Sequence, residues 1–330
     1  MMRYLKFAAV FLICSLPAAA QDFHLSQYSD APLNHNPAMT GLFDGHYRIH
    51  AHYRTQWAAI ATKPFVTSLI SYDMPLKKIA IGGQINNYRA GAGSYNVLGI
   101  ELSAAYDMAL GASGNNHLSI GIQAGIIQKS VNLNRLYFND QYTTADGGGF
   151  DTGLPSGEIF SNASIFLPDV NAGLMYYYGN EQARLMPFLG FSAFHLTQPN
   201  ESFYGAPNRL PVRFNLNGGL KINISGRIQL LPQFLAMQQA NARERTASLL
   251  LHYYLKSSDS YIILGGTYRQ YDANIFEAGL KFGKYAFKVS YDINTSALKP
   301  NTSGRGGVEF SFSFITSRPK PEFVPDCPRI

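Results

Sequence analysis

Alternation with period two dominates the chain from His46 onward. In the first clear run Tyr47, Ile49, Ala51 and Tyr53 fall on one side of an extended segment, and Arg48, His50, His52 and Arg54 on the other. Successive side chains of a strand leave opposite faces, so one face of this segment is greasy and the other wet. The pattern returns in Leu98, Ile100, Leu102, Ala104 and Tyr106 against Gly99, Glu101, Ser103, Ala105 and Asp107. It recurs near the end in Val308, Phe310, Phe312 and Phe314 against Glu309, Ser311 and Ser313. Runs of this kind predict strands over 46–56, 65–74, 78–88, 96–108, 116–128, 170–179, 184–196, 210–222, 227–238, 243–255, 260–270, 274–282, 285–294 and 305–317. That makes about fourteen strands, each near the roughly 10 residues that a tilted membrane strand needs.

The connections alternate as well. Those at 75–77, 110–115, 180–183, 223–226, 256–259 and 283–284 are short, whereas those at 90–95, 129–169, 197–209 and 295–304 are mostly longer. Short periplasmic turns and long extracellular loops mark bacterial outer-membrane barrels, and a soluble sandwich requires no such bias. The expected fold class is all-β, a closed transmembrane antiparallel barrel. Closure is forced because an open sheet edge in hydrocarbon strands unpaired backbone groups. Eight strands leave an interior just filled by side chains, so about fourteen leave a cavity that needs filler or water. The inward candidates Arg48, Arg54, Glu101, Asp107, Arg245, Arg269, Glu277, Lys281, Lys288, Asp292 and Glu309 carry both signs, which predicts a paired network rather than a filter of one charge.

Four segments complete the organisation. Arg3 and Lys6, the apolar run Phe7 to Leu16 and the small residues Ala18-Ala19-Ala20 read as a signal peptide over 1–20. Pro17 and the short run argue against a spanning anchor, and Gln21 after the cleavage point argues against lipidation of Cys14. Residues 21–45 are polar and irregular, with Pro32 and Pro37, and are expected at the periplasmic mouth or in the lumen. The barrel is expected over 46–317, with 129–169 as a long extracellular loop made flexible by Gly147-Gly148-Gly149, and 318–330 as a Pro-rich periplasmic tail.

Composition narrows the chemistry. The chain of 330 residues is 46% hydrophobic and 15% charged, with 21 Tyr and 22 Phe against 1 Trp, a load suited to sheet. Of 27 Lys and Arg, Arg3 and Lys6 leave with the leader, and the remaining 25 stand against 21 acidic residues. That excess is small and includes no basic run longer than two, so nucleic acid is not an expected partner. Cys327 is the sole cysteine after the leader, which excludes an intramolecular disulfide and a thiolate cluster for metal. No nucleophile elbow, zinc-binding His-Glu-x-x-His, phosphate loop or Cys-x-x-Cys pair is present, so neither a cofactor nor catalysis is expected. His50, His52 and His195 are weak candidates for a hydrolytic triad and more simply lumenal or interfacial. Asp140, Asp146, Asp151 and Asp169 lack the alternating spacing of a calcium loop and read as solvated loop acids.

Ser26-Gln27-Tyr28, Asn36-Pro37-Ala38 with Gly41, Arg48, Tyr53-Arg54-x-Gln56-Trp57, and then Pro64, Thr67, Ser71, Asp73 and Pro75 together resemble the opening of the PorP/SprF family. Further matches are Asp140-Gln141, Phe194-His195-Leu196 with Gln198-Pro199 and Phe203, Tyr268-Arg269, Tyr291-Asp292-x-Asn294-x-Ser296 and Glu309; the closing Cys327-Pro328-Arg329 is similar in a looser way. The resemblance implies an outer-membrane component of type IX secretion and gliding. It further implies partners among the periplasmic and outer-membrane components of that machinery, and cargo with C-terminal sorting domains. Structural readings stand beside it: Trp57 as an interfacial anchor, Arg48, Arg54, Arg269 and Asp292 as an internal charge network, and Asn36-Pro37-Ala38 as a turn aligning the N-terminal segment with the barrel. A porin-like diffusion channel is the alternative function, and an outer-membrane hydrolase a third.

Overall fold

A computed structural model describes residues 22–316, apart from 59, 60, 62, 92 and 181; the leader, the tail 318–330 and Cys327 lie outside the described residues. Sixteen strands follow one another: β1 Arg48–Gln56, β2 Phe65–Leu76, β3 Ile79–Ala90, β4 Tyr95–Leu110, β5 Asn116–Ser130, β6 Tyr142–Thr143, β7 Gly149–Phe150, β8 Ser164–Tyr178, β9 Leu185–Phe194, β10 Arg213–Asn223, β11 Ile228–Gln239, β12 Ala242–Leu255, β13 Ser260–Arg269, β14 Ala273–Phe282, β15 Tyr285–Asn294 and β16 Arg305–Ile315. All but β6 and β7 join one antiparallel barrel of fourteen strands, each beside its neighbour in sequence. β1 closes the ring on β16, with Arg48 opposite Ile315 and Arg54 opposite Glu309.

The greasy half of each alternating run faces outward. Ile70, Leu102, Ile122 and Phe166 are each at least 60% exposed on the outer wall. A continuous ring of such residues is unsustainable in water and natural in lipid. Aromatic clusters edge this ring: Tyr47 meets Tyr72 and Phe314 at the end with short turns, and Trp57 meets Phe65 edge-on at the end with long loops. Such belts sit where hydrocarbon gives way to headgroups.

Every strand expected from the alternation is present, and three expectations need correction. The long loop is shorter than 129–169, because β5 runs on to Ser130 and β8 begins at Ser164. Pro168 disguises that start of β8, yet it is tolerated because the β8–β9 ladder begins only at Ala172 and leaves one flank of Pro168 unpaired. Asp169 therefore belongs to the wall and is buried, not a solvated loop acid. Within the loop, Gly147 and Gly148 take φ of 93° and 89° to turn the small β6–β7 hairpin. Finally, Arg245 points outward: Glu244, Thr246 and Ser248, of the opposite parity, are buried, so Arg243 and Arg245 lie on the lipid-facing side.

Candidate functional site

The wide lumen is filled by the chain's own beginning. Residues 22–45 run through it as three single turns, Tyr28–Asp30, Pro32–Asn34 and Pro37–Met39, separated by irregular backbone. A segment without regular structure must send its backbone polar groups to the wall, and this one finds the wet faces of the strands. Leu25, Leu33 and Ala38 are buried with Ser26, Gln27 and Asn36.

Ser26 and Gln27 dock on the seam between β1, β15 and β16. The amides of Ser26 and Gln27 donate to the two Glu309 carboxylate oxygens at 2.8 and 2.6 Å. Ser26 Oγ donates to Asp292 at 2.7 Å, and Gln27 Nε2 to Ser290 and to the Glu309 carbonyl at 3.0 Å. Arg54 Nη2 reaches Asp292 at 2.9 Å, with its Nε 3.4 Å from Glu309 and its Nη1 on the His24 carbonyl. Arg269 Nη2 donates to Asp292 and to Ser26 at 3.0 Å. An irregularity in the β15–β16 ladder, which pairs Tyr291 with Val308 but Ile293 with Arg305, flanks the central Asp292. Bulges re-aim side chains in this way.

The Asn36-Pro37-Ala38 turn sits across the barrel on β5, β8 and β9. Asn36 Oδ1 caps the turn by accepting from the Ala38 amide at 2.9 Å, while its Nδ2 donates to the carbonyls of Leu174 and Phe191, which are register partners. Ser119 Oγ donates to the Ala38 carbonyl at 2.7 Å, and Thr40 Oγ1 to Ser103 at 2.9 Å. The turn approaches this closely because the wall carries glycine there. A methyl on Gly121 would overlap the backbone of Pro37 and Ala38, and one on Gly173 or Gly190 would overlap the Asn36 amide.

Further ties fix each end. Arg48 forks onto both Asp73 oxygens through Nε and Nη2 at 2.9 and 2.7 Å and packs over the Phe43 ring, and the Gly41 amide donates at 2.7 Å to the same Asp73 Oδ2 that takes Arg48 Nη2. Lys288 bridges Asp30 at 3.0 Å and Glu277 at 3.2 Å. At the far end Asp22 accepts from His195 Nε2 at 2.8 Å and from Arg213 at 2.9 Å, while His195 Nδ1 lies 3.0 Å from Asp169. An imidazole between two carboxylates satisfies both only as the doubly protonated cation. Burial works to lower the His195 pKa, but Asp22 and Asp169 outweigh it and lift it to about 9. Burial likewise opposes the Asp22 carboxylate, and His195 and Arg213 overcome it, holding Asp22 below the usual range.

The sign of the resulting pH dependence follows. A raised folded-state pKa contributes stability that is complete below the free value of 6.5 and is lost as the pH passes about 9, worth roughly 3 kcal/mol for such a shift. Protection of the 22–26 amides against hydrogen exchange, corrected for intrinsic rate, is therefore expected to fall between pH 7 and 10. His195→Gln is expected to loosen the same amides below about pH 9 and to erase the step. A pH-independent profile in the unaltered protein would contradict the assignment.

Of the residues singled out in the sequence, Ser26, Gln27, Arg54, Arg269, Asp292 and Glu309 come together in one cluster, Arg48 and Asp73 in a second, and Asn36 and Pro37 in a third. Tyr28 is buried and stacks on His35, and Pro75 lies beside Gly41. Tyr53 and Tyr291 instead face outward, Gln56 ends β1 opposite Phe65, Trp57 packs on Phe65, and exposed Gln198 and half-buried Pro199 lie in the loop after β9. His50 and His52 join a buried row, Ser313 to His50 to His52 to Glu309, at 2.8, 3.2 and 2.6 Å. His50 is wholly enclosed, so the row orients Glu309. Sequence reasoning missed Asp22, Glu244 and Arg213, and the role of the inward glycines; inward parity on β10 and β12 was the available signal for Arg213 and Glu244.

Solved structures with this architecture include the Pseudomonas putida toluene transporter TodX, 12% identical with a TM-score of 0.50 over 90% of this chain and 95% of that one. The Ralstonia pickettii toluene transporter TbuX is 10% identical, TM-score 0.50, over 87% and 94%. The CymD monoaromatic hydrocarbon channel is 12% identical, TM-score 0.50, over 88% and 93%. At such identities the likeness is one of fold. No curated protein sequence matches the chain. The model of the type IX secretion system membrane protein PorP/SprF family matches residues 18–314, and the chain belongs to that family.

Proposed function

We propose that this protein is a sealed, non-enzymatic platform in the outer membrane, which anchors or helps export surface proteins bearing C-terminal sorting domains and links them to periplasmic parts of the type IX machinery. In this reading the short turns and residue 316 face the periplasm, and the loops 131–163 and 195–212 face outward. The observation that carries it is the lumen packed by residues 22–45 through bonds to opposite walls, charge-assisted at Glu309 and His195 and neutral at Leu174. A filled lumen suits a device that holds partners better than one that passes solutes.

The full chain in planar bilayers is expected to show no large steady conductance, and gentle-detergent purification followed by mass spectrometry to recover other type IX components. Removing 318–330 is expected to weaken that recovery while the barrel still assembles. A wide, steady pore in the unaltered protein would reject the platform in favour of a diffusion channel.

A further inference from the structure

The lipid-facing wall carries two arginines without a counter-ion. Arg243 and Arg245 stand two residues apart on the outward face of β12, immediately after the Ala240–Asn241 turn at the long-loop end. Among the described residues neither guanidinium has a salt bridge or side-chain hydrogen bond, and the adjacent Glu244 turns inward to His24 at 3.2 Å. Below them the same face continues as Ala247 and Leu249, the latter 52% exposed. An arginine on a barrel's lipid face is costly at mid-bilayer, and the penalty all but vanishes near the headgroups. These two are tolerable where they stand only near headgroup level, where anionic groups are within reach.

The surroundings have the shape of such an anion's lipid. A groove of about 410 Å³ runs beside the arginines, lined by Phe191, Phe214, Leu216 and Gln238, which is the register partner of Arg243. Phe191 and Phe214 stack at 6.1 Å, forming a flat apolar floor. Residues two apart along a strand are roughly 6.5 Å apart, so two guanidinium forks converge on one phosphate. The aromatic floor beside them takes an acyl chain.

We infer that Arg243 and Arg245, with the Phe191–Phe214 groove, form a binding site for a phosphorylated glycolipid of the outer leaflet. The inference rests on the orientation adopted above and not on the plug or on any cargo. Apolar Ala247 and Leu249 beneath the arginines continue the surface that acyl chains cover.

The test uses delipidated full-length protein in detergent, titrated with lipid A and separately with phosphatidylglycerol, and read by native mass spectrometry. The expected result is a retained lipid A adduct that is at least about tenfold weaker in Arg243→Gln/Arg245→Gln, since the loss of even one of the two charge-assisted contacts is on that scale. Arg243→Lys/Arg245→Lys is expected to recover part of it, and Arg227→Gln, at the opposite end, to leave it unchanged. Heat-modifiable mobility on gels certifies that each variant is a folded barrel. Equal lipid A retention in the folded glutamine variant would overturn the site. An adduct with phosphatidylglycerol alone would overturn the glycolipid. Orientation is read separately: Tyr271→Cys, at the long-loop end and 82% exposed in the native residue, is expected to react with an impermeant maleimide on intact cells. Failure there refutes the orientation without touching the phosphate chemistry.

Discussion

Alanine at both Gly121 and Gly173 is expected to drive the Asn36–Ala38 turn off the wall and turn a closed lumen into a conducting one. A methyl at Gly121 would occupy the space of the Pro37–Ala38 peptide, and a methyl at Gly173 that of the Asn36 carboxamide. At Gly121 the obstacle is backbone, which has little freedom to give. Overpacking of this kind costs roughly 1–3 kcal/mol per position. The displaced turn also loses the bonds from Asn36 to Leu174 and Phe191 and from Ser119 to Ala38. The wall itself keeps every ladder, since β5, β8 and β9 pair through backbone groups that the methyls do not touch. Conductance in planar bilayers should rise from baseline to stable openings, and residues 22–45 should become open to protease, with heat-modifiable mobility unchanged. Gly226→Ala, where an added methyl meets nothing, is the matched control. A silent, protease-resistant double variant would mean that the seat is not what holds the segment.

The barrel was legible because its governing signal is local. Side-chain period and hydrophobicity are properties of consecutive residues, and lipid outside with polar groups inside repeats them strand after strand. Errors arose where a local rule met a non-local fact. Pro168 reads as a break until the unpaired flank of β8 is known. Arg245 reads as inward because charge is expected inside, yet the parity of Glu244, Thr246 and Ser248 decides against it. The plug was harder to read. Its polarity excluded a membrane strand, but nothing in 22–45 alone says that Asn36 reaches carbonyls of β8 and β9, 138 and 155 positions away. Family likeness singled out Ser26, Gln27, Arg54, Asp292 and Glu309 without giving them a shared place. Contact between sequence ends, as in Ser26 with Glu309 at a separation of 283 residues, comes only from closing the ring. The glycines at 121, 173 and 190 escaped because an absent side chain has no sign or hydropathy, and its role lies in what it lets approach.

Removing Asp292 is expected to be the most damaging single change to stability. Its carboxylate holds Arg54 at 2.9 Å, Arg269 at 3.0 Å and the Ser26 hydroxyl at 2.7 Å, all of them buried. Asp292→Ala leaves two enclosed guanidinium groups sharing Glu309 and the partly exposed Asp272. Breaking a buried pair by deleting one partner costs roughly 3–5 kcal/mol, mostly from the charge left behind. Urea unfolding of the reconstituted barrel should shift by that amount, and exchange at 24–30 should quicken first, since Ser26 and the His24 carbonyl lose partners held by the same cluster. Adding Arg269→Met to Asp292→Ala should restore part of the loss, because the orphaned charge goes with it. That recovery separates the charge argument from simple loss of packing, in which the second truncation can only deepen the damage. An unfolding midpoint unchanged in Asp292→Ala would show that water reaches the cluster and that the N-terminal segment is held elsewhere.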